Sequence, residues 1–195
     1  MPDKDDSFLF MPGNTRVIII FKLFVSTMTR LILVRHGETI ENEQHIMQGQ
    51  TQGTLNATGQ RQARELRESL KAEKIDIYMS SDLARAVETC RILAEDTQAE
   101  VVTTPLLRER DWGGFTGRYI PDLKDEPWPD DIETIDDLKV RATKLLETIK
   151  EKYPDKTVLA VGHGIINKAI QSVYHGKPMN EIPRMSNGEA RTLML

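Results

Sequence analysis

Two histidines stand in a setting suited to phosphoryl chemistry. His36 lies in Arg35-His36-Gly37-Glu38-Thr39, and His163 lies in Gly162-His163-Gly164. Each follows a short run of apolar and β-branched residues, Leu31 to Val34 in one case and Val158 to Val161 in the other. A third run, Ile75 to Met79, leads into Ser80-Ser81-Asp82, with Arg85 one turn into the next segment. Polar residues outside the carboxyl ends of strands in an open α/β sheet are placed where such sheets bind ligands. A neutral imidazole nitrogen can attack phosphorus, and guanidinium groups pair with phosphoryl oxygens. Arg35 and Arg85 therefore form, with the two histidines, a cationic clamp of phosphate size. Glycines beside both histidines allow a ligand close approach to main-chain N–H groups, and a helix start would suit an anion.

The elements that must position these groups are readable from periodicity. Strands are expected at the three runs above, at Val101 to Thr103, and late at Ala190 to Leu195 as an edge. Between them, Thr58 is placed to cap a helix with Ala63, Leu66 and Leu70 on one face. Asp82 precedes a second, with Leu83, Ala86, Val87, Cys90 and Leu93 inward. Thr134 with Asp137 approximates a capping box for a third, which carries Leu138, Ala142, Leu145 and Ile149 and stops at Pro154. A fourth, from about Ile165 to Tyr174, ends at His175-Gly176. The alternation predicts a mainly parallel sheet covered by helices. The segment from Asp111 to Asp131, with two Trp and three Pro, reads as an irregular surface loop beside a site.

Composition narrows the classes. The 195 residues suffice for one domain with a real core, and 39% hydrophobic with 29% charged residues is ordinary for a globular protein. A net charge of −4 disfavours nucleic acid as partner. The single cysteine, Cys90, can join no intrachain disulfide, so a reducing, cytoplasmic location is expected. Val17 to Val25, interrupted by Lys22, is too short to cross a bilayer. The acidic opening Met1-Pro-Asp-Lys-Asp-Asp is unlike a secretory signal. Because Met28-Thr-Arg-Leu-Ile-Leu-Val reads as a natural chain start, residues 1–27 are expected to lie outside a catalytic domain of residues 28–195. Docking of Val17 to Val25 as an extra strand, or on a membrane surface, is the alternative.

Taken together, these motifs resemble the histidine phosphatase superfamily, also called phosphoglycerate mutase-like. The resemblance runs from about Arg30 to the C-terminus. It rests on Arg35-His36-Gly37-Glu38-Thr39, Asn42, Gln48-Gly49, Leu55 with Gly59, Ser80 to Ala86, Leu107-Arg108-Glu109-Arg110 and Gly162-His163-Gly164. It implies a three-layer αβα sandwich around a mostly parallel sheet. It also implies that His36 accepts the phosphoryl group, that Arg35, Arg85 and His163 surround it, and that Asn42 adds a donor. Glu109 is then the acid that protonates the leaving oxygen, and the same carboxylate later activates water. Gln48, Gly49 and Gly164 are expected to touch substrate. No cofactor is implied, and four histidines without a carboxylate cluster make a metal site improbable.

Blander roles exist for the same residues. The histidines can be a buried hydrogen-bonded pair, Arg85 can pair with Glu88 or Glu41, and Glu109 can belong to an ion cluster with Arg108 and Arg110. Gln48 can simply hold its loop, Trp112 and Trp128 can cover core edges, and Glu38 is expected to orient structure. His45 and His175 read as structural or solvated. As to reaction, the mutases of the family carry Lys where this chain has Ile120 and Asn where it has Ile165. The short stretch from Glu109 to His163 leaves little room for their closing insertion. Hydrolysis of a small phosphomonoester is the expectation. Mutase-type transfer and a silent phospho-ligand binding protein are the alternatives.

Overall fold

The computed structural model describes residues 28–195, so the expectations for residues 1–27 fall outside it. Five strands form one sheet in the order β3-β2-β4-β1-β5. They are β1 (Arg30–Arg35), β2 (Ile77–Ser80), β3 (Val101–Thr103), β4 (Thr157–Gly162) and β5 (Ala190–Met194). All neighbours run parallel except β5, which pairs antiparallel with β1 at the edge. Five helices accompany them: α1 (Ile40–Glu43), α2 (Ala57–Ser69), α3 (Ala84–Ala94), α4 (Ile135–Lys152) and α5 (Gly164–His175).

Side-chain alternation along the central strands explains the three layers. Leu31 and Leu33 point to one face, where they meet Leu138, Ala142 and Ile149 of α4 and Ile166 and Ile170 of α5. Ile32 and Val34 point to the other, against Ala86, Cys90 and Leu93 of α3 and Leu66 of α2. A strand buried on both faces needs this unbroken apolar run, which is why β1 and β4 lack the polar alternation of a one-sided sheet.

Two expected caps move. Asn56, not Thr58, caps α2, its side chain accepting from the Gly59 N–H at 2.9 Å. Leu83 precedes α3 without a side-chain cap, because the Asp82 carboxylate is turned to the Arg108 guanidinium at 2.7 and 2.6 Å. Thr134 does cap α4 through the Asp137 N–H at 3.1 Å. At the far end of α5, Gly176 takes the left-handed conformation (φ 62°) that closes a helix. The Asp111–Asp131 segment is organised by two 3₁₀ turns, Gly113–Phe115 and Ile120–Leu123, over a small core of Phe115, Leu123 and Ile132.

Gly37 and Gly59 bring the loop after β1 against the start of α2. A Cβ on Gly37 would sit 2.4 Å from the Gly59 carbonyl oxygen, and one on Gly59 would sit 2.0 Å from that of Glu38. The glycine after His36 is thus required by backbone packing. Gly37→Ala is expected to cost about 1–3 kcal/mol by overpacking and to lower kcat on the order of 100-fold by shifting His36. Urea unfolding and initial rates check both; an unchanged rate would show that the His36 loop tolerates the shift.

Candidate active site

The parallel register of β1 and β4 sets Arg35 beside Gly162, so the next residues, His36 and His163, emerge side by side at the carboxyl edge. The His36 N–H donates to the Gly162 carbonyl at 3.1 Å, and the two ring centroids are 4.9 Å apart. Both rings are buried, at 3% and 0% exposure. Arg85, in the first turn of α3 and 1% exposed, points its Nε–H between them, 3.3 Å from His36 Nε2 and 3.2 Å from His163 Nδ1.

These contacts assign the tautomers. His36 Nδ1 lies 2.7 Å from the Gly37 carbonyl, which can only accept, so Nδ1 carries the hydrogen and Nε2 keeps its lone pair. His163 Nδ1 accepts from Arg85, which leaves the hydrogen on Nε2. That Nε2 is buried and has no partner, and neither has Arg35 Nε. Arg35 lines the cavity, and its Nε is a buried donor that a phosphoryl oxygen would satisfy.

The arginines divide the work differently from the sequence expectation. Arg85 Nη2 donates to the Gly49 carbonyl at 2.8 Å, and Nη1 donates to those of Gln52, at 3.2 Å, and Thr51. Its guanidinium is a strut between the histidines and the 49–52 loop, with no ion pair to Glu88 or Glu41. Arg35 donates Nη1 to the Met185 carbonyl at 2.7 Å. Burial lowers the Arg85 value to about 10 and also lowers that of Arg35.

Glu109 Oε1 accepts from the N–H groups of Arg110, Ile165 and Ile166 at 2.9, 3.0 and 3.2 Å, and Oε2 accepts from Ile165 at 3.2 Å. The Ile165 and Ile166 amides in the first turn of α5 are therefore held by the protein's own carboxylate. The ion cluster with its sequence neighbours does not form: Arg108 pairs with Asp82, and Arg110 donates to the Glu133 carbonyl and stacks on Trp112 and Trp128. Arg141 ties down the Glu109 segment, donating to the carbonyls of Leu106, Arg108 and Glu109 while paired with Glu133.

Asn42 Oδ1 accepts from the Thr39 N–H and the Asn187 amide, which turns its own amide nitrogen free for the cavity. Gln48 is buried and its Oε1 has no partner. With Arg35, His36, Arg85, Glu109, Gly49 and Gly164, these residues line one cavity of about 300 Å³. The cavity also takes in Ile46, Met47, Trp112, Ile120, Ile165, Lys168 and Arg184. Lys168 carried a signal, since it lies one turn from Gly164 on the same helix face. Asn187, which holds Asn42 and the His36 carbonyl, carried none. Trp128 is 60% exposed, and Glu38 accepts from Asn56 at 2.8 Å, the orienting role foreseen for it.

Burial, followed by the Arg85 charge, holds both histidines well below their ordinary value of 6.5. Both rings are therefore neutral near pH 7. In the unfolded chain they take up protons from about pH 6.5 downward. Below that point the unfolded state binds more protons than the native one, and stability falls as pH is lowered towards the folded values. The slope reaches about 1.4 kcal/mol per pH unit for each histidine. We expect the urea midpoint to drop between about pH 7.5 and 5, with a shallower drop after His36→Gln and His163→Gln are combined. A flat wild-type profile would show that these histidines titrate normally. Asp76 and Asp82, lowered from 3.8, act only further into acid.

Residues 31–194 match the family model of the histidine phosphatase superfamily (branch 1). The chain belongs to that superfamily. A Bacillus subtilis protein named as an uncharacterized phosphatase, PhoE, is 38% identical over 165 residues, covering 82% of this chain and 85% of the relative. An Enterobacter protein named as a probable phosphoglycerate mutase, GpmB, is 32% identical, covering 77% of each. A solved mycobacterial glucosyl-3-phosphoglycerate phosphatase in complex with VO3 superposes with a TM-score of 0.76 at 27% identity, covering 84% of this chain and 91% of that one. The αβα layering expected of the superfamily is the one observed, and the chain is a histidine phosphatase. Among the described residues, no helix is long and apolar enough to cross a membrane.

Proposed function

We propose that the cavity hydrolyses a small phosphomonoester in two steps through His36. The observation that carries this is the unprotonated His36 Nε2, its other nitrogen locked on the Gly37 carbonyl, in a cavity also lined by Arg35, whose Nε has no partner. In the first step the Nε2–phosphorus bond forms as the ester P–O bond breaks. Charge spreading over the phosphoryl oxygens is met by donors from Arg35 and Asn42, with His163 packed beside His36. The leaving oxygen takes its proton from Glu109. Of the two carboxyl oxygens, Oε2 serves this role, since Oε1 is held by three amides while Oε2 keeps one. In the second step water attacks the phosphohistidine, its proton passes to Glu109, and phosphate departs as His36 Nε2 regains its lone pair.

Transfer to a second hydroxyl is disfavoured by the apolar Ile120 and Ile165, which stand where the resembled mutases bear polar side chains. A cytoplasmic location is part of the reading and is supported by cysteine usage, since the single Cys90 can join no intrachain disulfide. The test is phosphate release from a panel of phosphomonoesters in EDTA, with intact-mass detection of a phosphoryl adduct after acid-free quench. Release in EDTA with an adduct on His36 is expected. Interconversion of 3- and 2-phosphoglycerate faster than phosphate release would favour the mutase, and binding without turnover would favour a silent receptor.

A further inference from the structure

The cavity holds more positive charge than a phosphate requires. Arg35, Arg85, Lys168 and Arg184 line it against a single carboxylate, Glu109, in a chain whose net charge is negative. Arg35 and Arg85 adjoin the histidines. Lys168 is one helical turn beyond Gly164 on α5, about 5–6 Å up the same face. Arg184 approaches from the turn before β5, where Arg191 fixes its backbone by donating to the Pro183 and Arg184 carbonyls at 3.0 and 3.1 Å. Among the described residues, neither the Lys168 ammonium nor the Arg184 guanidinium makes an ion pair or a side-chain hydrogen bond, whereas Arg108, Arg118, Arg141 and Arg191 are all paired. Beside Asn42 and Gln48, the rest of the wall has an apolar part built of Ile46, Met47, Trp112, Ile120 and Ile165.

We propose that Lys168 and Arg184 form a second anion subsite, so that the preferred substrate is the phosphate ester of an apolar alcohol or phenol that also carries a carboxylate. The proposal rests on the phosphatase reading of the cavity. The phosphoryl dianion lies against His36, the apolar body covers Ile46, Met47, Trp112 and Ile120, and the carboxylate reaches the two free cations. A polyhydroxylated body of the same length would leave the apolar part of the wall uncovered. A second negative charge brings the site close to neutrality, and partial desolvation makes such a contact worth more than a surface ion pair.

The probes are phenyl phosphate and 4-carboxyphenyl phosphate, which differ by the carboxylate alone. Calorimetric titration into His36→Ala protein measures binding with the reaction blocked. The carboxylated ester is expected to bind about tenfold more tightly, a difference of about 1.4 kcal/mol. That ratio is expected to fall towards one when Lys168→Met or Arg184→Gln is added, and to persist with Lys139→Met, which removes an equal charge from the outer face of α4. Equal binding of the two esters, or a preference that survives both substitutions, overturns the subsite. The phosphatase reading is judged separately by phosphate release from the same esters. If wild-type protein releases none, or His36→Ala still releases it, that reading fails whatever the binding ratio.

Discussion

With His36 replaced by alanine, phosphate release is expected to fall on the order of 10⁴-fold or more, because the atom that receives the phosphoryl group is gone while the pocket that binds it remains. The structure gives a specific reason to expect retained binding. Arg35 is held through Met185 and Arg85 through Gly49, Thr51 and Gln52, and none of these contacts runs through the His36 ring. Steady-state rates with the same ester, beside vanadate or phosphate affinity, check both halves. Residual turnover above about one per cent of wild type would mean that water attacks phosphorus directly, with His36 only an electrostatic partner.

Removal of Arg85 is expected to give the next largest loss, on the order of 10²–10³ in kcat for Arg85→Ala. Its Nε–H is shared by both imidazoles, and its burial beside them is part of what keeps them neutral. Its other nitrogens secure the loop that carries Gln48 and Gly49 to the cavity. One ammonium cannot satisfy three carbonyls and two ring nitrogens, so Arg85→Lys is expected to recover no more than about tenfold of the lost rate. The readouts are kcat and KM together with the pH profile. A lost strut disturbs both parameters and lets the histidines titrate closer to 6.5, so that activity falls in mild acid. A variant within tenfold of wild type, with an unchanged profile, would assign Arg85 to structure alone.

Much of this was legible because strand and helix periodicity are local. β1 and β4 announce themselves as continuous apolar runs, since each is buried on both faces, and their carboxyl ends point to Arg35-His36 and Gly162-His163 before any coordinate is known. Glu109 was identified by a motif. Its attachment was not foreseeable, because the amides that hold it belong to Ile165 and Ile166, far along the chain. The same distance hid Arg141 and Asn187, whose partners are carbonyls and an amide brought near only by the fold. Asn56 outcompeted Thr58 as a cap because the turn after Leu55 had to place Gly59 against the loop of Gly37. That steric demand is between backbones and has no periodic trace in the sequence.

The sequence by itself determined a mainly parallel sheet covered by helices, through its periodicity, and the superfamily and the two histidines, through the motifs that resemble that family. Only the tertiary structure decided which His36 nitrogen carries the hydrogen, that Arg85 is a strut while Arg35 retains an unpartnered donor, and that Glu109 occupies the start of α5. It alone joined Lys168 and Arg184 to an apolar wall. Hydrogen-bond direction, burial and the pairing of charges depend on distances between residues remote in sequence, and those distances exist only once the sheet has set β1, β4 and the segments around them side by side.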